Sequence, residues 1–189
     1  MRIWQVFIFI ILLTADLYVV HLGTPLRSIT KPLLLLSLII FFIINLKGKL
    51  KQHILMLIGM VFALLGDVFL LGDSNTHFIL GLSSFLIMQV IYSLVFFKEK
   101  AIGIHQTKWQ VLPVFLVTMM FAAYIVPHAG ALSIAVIIYG LTIMMMLIFA
   151  ILRWKVAGYW WIVAGACAFI FSDALLSINK FNGPILMQV

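Results

Sequence analysis

The sequence predicts an all-α fold, a polytopic transmembrane helix bundle with its N-terminus in the cytoplasm. Three observations predict it. Hydrophobic residues make up 66% of the 189 positions and charged ones only 9%, giving a mean hydropathy of +1.27. A soluble domain is about a quarter charged, so this composition belongs in a bilayer. Seven apolar runs approach or reach the ~20 residues a helix needs to cross hydrocarbon, and short polar or Pro/Gly connections separate them. The Lys and Arg residues fall in those connections with a strong bias to one side.

The runs cover about 3–20, 30–46, 52–72, 77–97, 108–126, 131–152 and 158–178. The first resembles a signal peptide in its basic start and apolar core, but it has no A-x-A cleavage site and is read as a retained span. The second is short after Pro32 and is expected to begin in the approach from Arg27 to Lys31. The remaining five are each bounded by a connection: KGKLKQ, GDSNTH, KEKAIGIHQTK, PHAG and RWKVAG. None is long enough for a soluble domain, so residues 1–189 are read as one integral membrane domain. The spans are helical because a single-chain span must satisfy its own backbone hydrogen bonds.

With the N-terminus inside, Arg2, Lys47, Lys49, Lys51, Lys98, Lys100, Lys108, Arg153 and Lys155 face the cytoplasm. Arg27, Lys31 and Lys180 face the other side, nine against three. The formal charge of +7 is therefore membrane-flanking charge, and nucleic acid is not expected as a partner. The expected location is a bacterial inner (cell) membrane. The single cysteine, Cys167, lies within an apolar run and excludes an intramolecular disulfide or a CxxC site.

Carboxylates are the informative residues. Of five, Glu99 lies between Lys98 and Lys100 and reads as a solvated loop charge, and Asp73 in LLGDVFLLGDSN reads as a boundary residue. Asp16, Asp67 and Asp173 lie about 14 to 16 residues into spans that run in the same direction, a depth of roughly 20–24 Å in the outer half of the bilayer. Lys31, at the outer start of the second span, is within reach of this layer. An ionisable residue inside a membrane is a functional hypothesis by default, the alternative for each being a structural partner, paired with Lys31 or with hydroxyls such as Ser172 and Ser177. Asp67 and Asp173 also share a weak repeat, LLGDVFLL at 64–71 and IFSDALLS at 170–177, consistent with parallel four-span units.

Two carboxyls at one depth in low dielectric suit general acid–base chemistry, one holding a proton and the other accepting it. Gly66 and Ser172, each just before an aspartate, would let helices approach closely. Gln89 and Tyr92 on the fourth span would extend the polar network, with Tyr139 and Tyr124 in the outer half as well, although tyrosine is also a common interface residue. His21, His77 and His128 fall in outer connections, but no H-x-x-x-H or H-E-x-x-H spacing accompanies them, and neither metal nor cofactor is expected. Ser83 and Ser84 have no histidine placed to activate them, and Met144 to Met146 read as apolar filler.

Taken in order, KPLLLL at 31–36, LLGDVFLL at 64–71, GLSSFLIMQVIYSLVF at 81–96, VIIYGLTIMMMLIFA at 136–150 and IFSDALLSINKFNGP at 170–184 resemble the YhhN-like lysoplasmalogenases across nearly the whole chain. The resemblance implies a membrane hydrolase of lysophospholipids that cleaves the vinyl ether bond of lysoplasmalogens. It also implies that the paired catalytic aspartates are Asp67 and Asp173, and that the KP motif is Lys31 and Pro32. Asp16, Gln89, Tyr92, Tyr139 and Ser172 are the supporting candidates. Two departures accompany it. Gln89 stands where relatives often have His, and the family has eight spans whereas seven are read here. The expected partners are the lysophospholipid substrate and the bilayer, with a homodimer left open. Two rivals are an intramembrane aspartyl protease, whose GxGD signature fails at Leu64, and a small transporter or lipid-binding protein whose aspartates hold a cationic amine.

Overall fold

The structure is a computed structural model that describes residues 3–24, 26–72 and 74–182, with residues 104–108 described by backbone alone. The inner charge Arg2, the boundary carboxylate Asp73, the Lys108 side chain and the segment 183–189 lie outside the described residues. Among those residues the protein is all-α, with no strand, and seven helices are long and apolar enough to cross a membrane. They are α1 (Ile3–His21), α2 (Arg27–Asn45), α3 (Leu50–Phe69), α4 (Asn75–Lys98), α5 (Ile104–Ile125), α6 (Ser133–Ile151) and α7 (Tyr159–Phe181). Two short 3₁₀ turns, Val126–His128 and Gly130–Leu132, join α5 to α6.

The second span begins at Arg27, so Pro32 lies inside α2. Proline has no N–H to return to the carbonyl four residues earlier, which loosens the first turns of a helix it enters. Those are the turns that carry Thr30 and Lys31. The start of α4 has an N-cap, because the Ser74 hydroxyl accepts the His77 backbone N–H at 3.1 Å.

The chain forms two compact units and passes from one to the other inside α4, between Ile91 and Tyr92. In the first unit, α2 packs against both α1 and α3. The C-terminal end of α2 is tied by Asn45, whose amide donates to the Gln5 side chain on α1 at 2.9 Å. At the other end of α3 the contact with α4 is close. A Cβ at Gly66 would lie 2.8 Å from the Phe85 ring, and one at Gly81 would lie 2.8 Å from Leu70. The glycine before Asp67 thus lets α4 approach α3, as its position in LLGD suggests. Lipid tails are as apolar as leucine, so such contacts hold by dispersion and shape rather than by expelling water. Gly66→Leu is expected to be among the most destabilising single changes in this unit, by about 1–3 kcal/mol of overpacking strain. A thermal shift in detergent equal to that of Leu65→Ile would contradict this.

In the second unit, α6 packs against α5 and α7. Its core consists of Phe96 at the end of α4, Met146, Leu147, Ala150 and Ile151 on α6, and Ala166 on α7. Two alanines in the seam let the helix backbones come close, the usual device where bilayer solvent gives little drive for association. One expectation is corrected here. Glu99 is not merely a solvated loop charge, because it pairs with the Arg153 guanidinium at 2.7 Å. Arg153 is buried and lies 5.4 Å from the centre of the Phe96 ring. A buried cation needs a counter-charge, and the loop after α4 supplies it.

Candidate active site

The first unit builds its polar group from consecutive residues of α2. Successive helical side chains point about 100° apart, so Thr30 and Lys31 can face different neighbours. Thr30 turns to α1 and donates its hydroxyl to a carboxylate oxygen of Asp16. Lys31 turns to α3 and forms a salt bridge with Asp67, 3.0 Å from Nζ to Oδ1. Both side chains of that pair are about a quarter exposed, 27% and 26%. The pair is therefore sheltered within the unit yet open to an approaching molecule.

The second unit repeats the plan with different chemistry. Its helix α6 carries Tyr139 in its N-terminal turns, and the Tyr139 hydroxyl donates to Oδ2 of Asp173 on α7. Both residues are buried. In each unit, then, one helix presents a polar side chain from its first two turns, and the next helix in the chain supplies the aspartate that it meets. A cation does this at Asp67 and a neutral phenol at Asp173. The similarity of LLGDVFLL to IFSDALLS thus coincides with a matching arrangement around each aspartate.

The other candidates are placed as follows. Gln89 is fully buried on α4. Tyr92, one turn later, is half-buried with its ring 6.0 Å from that of Phe96, and it packs against the core of the second unit. Ser172 is exposed, on a different side of α7 from the buried Asp173, so the hydroxyl held against that aspartate belongs to Tyr139 instead. Tyr124 accepts from the Asn182 amide at 2.6 Å, and His128 lies beside it with ring centroids 5.9 Å apart. Among the described residues no group of three His, Cys, Asp or Glu side chains could hold a metal ion.

Two participants are not apparent from the sequence, Thr30 and Asn182. Thr30 adjoins Lys31, but only the facing of α2 toward α1 reveals that it meets Asp16. Asn182 lies beyond the last apolar run, with no local signal for its reach to Tyr124.

The Tyr139 contact makes a separable prediction. Tyr139→Phe keeps the ring and deletes one hydrogen bond to a carboxyl, a loss of about 1.5–3 kcal/mol when the acceptor is charged. If Asp173 acts in the reaction, turnover falls about 10- to 100-fold with substrate affinity little changed. A variant that loses affinity and keeps its turnover number would place Tyr139 in binding alone.

A sequence profile of the YhhN family matches residues 26–188. No curated protein and no solved structure matches the chain.

Proposed function

The chain belongs to the YhhN family, and from that premise we propose that it is a membrane hydrolase that cleaves the vinyl ether bond of lysoplasmalogens, releasing a fatty aldehyde and a glycerophospho-head group. The observation that carries the proposal is that both aspartates of the shared motif are held by dedicated partners, Asp67 by Lys31 and Asp173 by Tyr139. Carboxyls that merely decorated helices facing lipid would have no such company.

The chemistry follows from the substrate. A vinyl ether is polarised so that its β-carbon accepts a proton, leaving an oxocarbenium ion at the carbon bonded to oxygen. Water adds to that carbon and loses a proton, and the resulting hemiacetal collapses to aldehyde and alcohol. The sum is one water consumed, one C–O bond broken and one C–H bond formed. Two carboxyl groups suffice, one giving the proton to carbon and one taking it from water. Asp67 and Asp173 are assigned these two steps. The likeness of LLGDVFLL around Asp67 to IFSDALLS around Asp173 supports assigning them to one reaction. Lys31 is assigned to hold the Asp67 carboxylate, and Tyr139 to orient Asp173. A single-chain lipid delivers its vinyl ether just below the glycerol, which suits carboxyls in the outer half of the bilayer.

The experiment is to incubate the purified protein with a lysoplasmalogen and assay for free aldehyde. Aldehyde formed in step with the freed glycerophospho-compound supports the assignment. Lipid bound without product would favour a lipid-binding protein, and release of a fatty acid from an ester-linked lysolipid alone would point to a different bond.

A further inference from the structure

The connection from α6 to α7 forms an open cavity of about 330 Å³ at the surface, lined by Trp154, Lys155, Val156, Gly158, Tyr159, Trp160 and Trp161. It lies entirely within the second unit, on the side that the charge bias assigns to the cytoplasm. Interfacial tryptophans are common, so an aromatic belt alone would carry nothing. Here, however, the aromatics are ordered against one another and the loop beneath them is anchored.

Trp154, Tyr159 and Trp160 form an edge-to-face trio with ring centroids 5.1–5.9 Å apart. The loop is pinned from below. The Leu152 carbonyl accepts the N–H groups of Ala101 and Ile102, at 3.0 and 3.3 Å. Arg153 is turned inward to Glu99. Val156 N–H closes onto the Arg153 carbonyl at 2.8 Å. Lys155, between them, has φ 68°, the left-handed region that residues other than glycine seldom enter. Such a backbone persists where its surroundings fix it. Two neighbouring cations are thus treated oppositely. Arg153 is neutralised and buried, while Lys155 is exposed at the cavity, and among the described residues no carboxylate pairs with it.

We propose that this cavity binds the headgroup of an anionic phospholipid of the inner leaflet, Lys155 taking the phosphate and the Trp154–Tyr159–Trp160 trio packing on the glycerol and the upper acyl carbons. The size fits, since small-molecule sites begin at about 300 Å³. The chemistry fits as well, because basic pockets among helices on the cytoplasmic side are where anionic headgroups bind. Amphipathic indole and phenol rings suit the glycerol level, where one edge meets acyl chain and the other meets water. Nothing in this inference depends on the hydrolase reading.

The test uses the full chain with Trp4→Phe and Trp109→Phe, leaving tryptophan emission only from the three residues at the cavity. It is reconstituted in vesicles containing graded fractions of dibrominated phosphatidylglycerol or dibrominated phosphatidylcholine. Phosphatidylglycerol should quench at about fivefold lower mole fraction, the preference that one lysine near an anionic surface provides. Lys155→Gln should merge the two curves and Lys155→Arg should keep them apart. Lys100→Gln should also keep them apart, since Lys100 sits on the same side against the Phe97 ring and outside the cavity. Coincident curves for the parent protein would overturn the proposal. So would a preference that survives Lys155→Gln, or one that Lys100→Gln removes equally, which would mean diffuse surface charge. Relief of quenching by millimolar glycerol 3-phosphate would make the occupant a soluble phosphate, and this too would overturn the lipid assignment.

Discussion

On the proposed mechanism, alanine at Asp67 or at Asp173 should abolish aldehyde release from lysoplasmalogen while the protein still inserts and purifies normally. Proton transfer by a positioned side chain is worth about 10²–10⁴ in rate, so either loss should take turnover to the limit of detection. The two variants should also be non-additive. If both carboxyls serve one reaction, the double variant is scarcely worse than either single one, as for any machinery that works as a unit. Asparagine is the sharper substitution at Asp173, because it keeps the volume and still accepts the Tyr139 hydroxyl but cannot exchange a proton with substrate. Substantial turnover by either purified single variant would remove the two-aspartate mechanism.

Replacing Lys31 with methionine should have the second largest effect, and on two readouts. Methionine fills the space of the lysine stem but leaves the Asp67 carboxylate without its cation. Removing one partner of a fully buried pair costs about 3–5 kcal/mol. This pair is about a quarter exposed, so the cost should be nearer the lower figure, or less after solvent screening. Turnover should fall at least tenfold as well, because the carboxylate loses the group that fixes it. The double variant Lys31→Met with Asp67→Asn separates the two effects. Stability should recover, since no unpaired charge remains, while activity should not. Lys31→Arg should retain part of both. Full activity in Lys31→Met would show that the salt bridge is only structural.

The membrane fold is legible because hydrocarbon imposes few and strong rules. Apolar length marks the spans, and helix ends differ from the expected ones by only a few residues. At α2 the helix starts at Arg27, through Pro32, as the shortness of the apolar run after that proline implied. The aspartates are legible for the same reason, since a carboxyl in an apolar run is costly and stands out. Their partners are less so. Lys31 could be proposed for Asp67 because both are charged and both sit toward the outer side. Tyr139 was one of several tyrosines, and tyrosine has ordinary reasons to be near an interface, so only the packing of α6 on α7 distinguishes it from Tyr124. Adjacency in sequence favours Ser172, but neighbouring helical residues point in different directions and it is exposed. Glu99 reads as solvated because its sequence neighbours are lysines, and its partner Arg153 lies 54 residues along the chain, beyond any local pattern.

The most direct test of the central claim follows the proton to carbon. Hydrolysis of a lysoplasmalogen by the purified protein in deuterated water should yield aldehyde with one deuterium on the carbon next to the carbonyl, read by mass spectrometry after immediate borohydride reduction. Aldehyde incubated alone in the same solvent sets the background exchange. One deuterium per molecule above that background is the predicted result. Aldehyde formed without it would mean that the bond is broken by another route, and carboxyl-driven protonation of the vinyl ether would be contradicted.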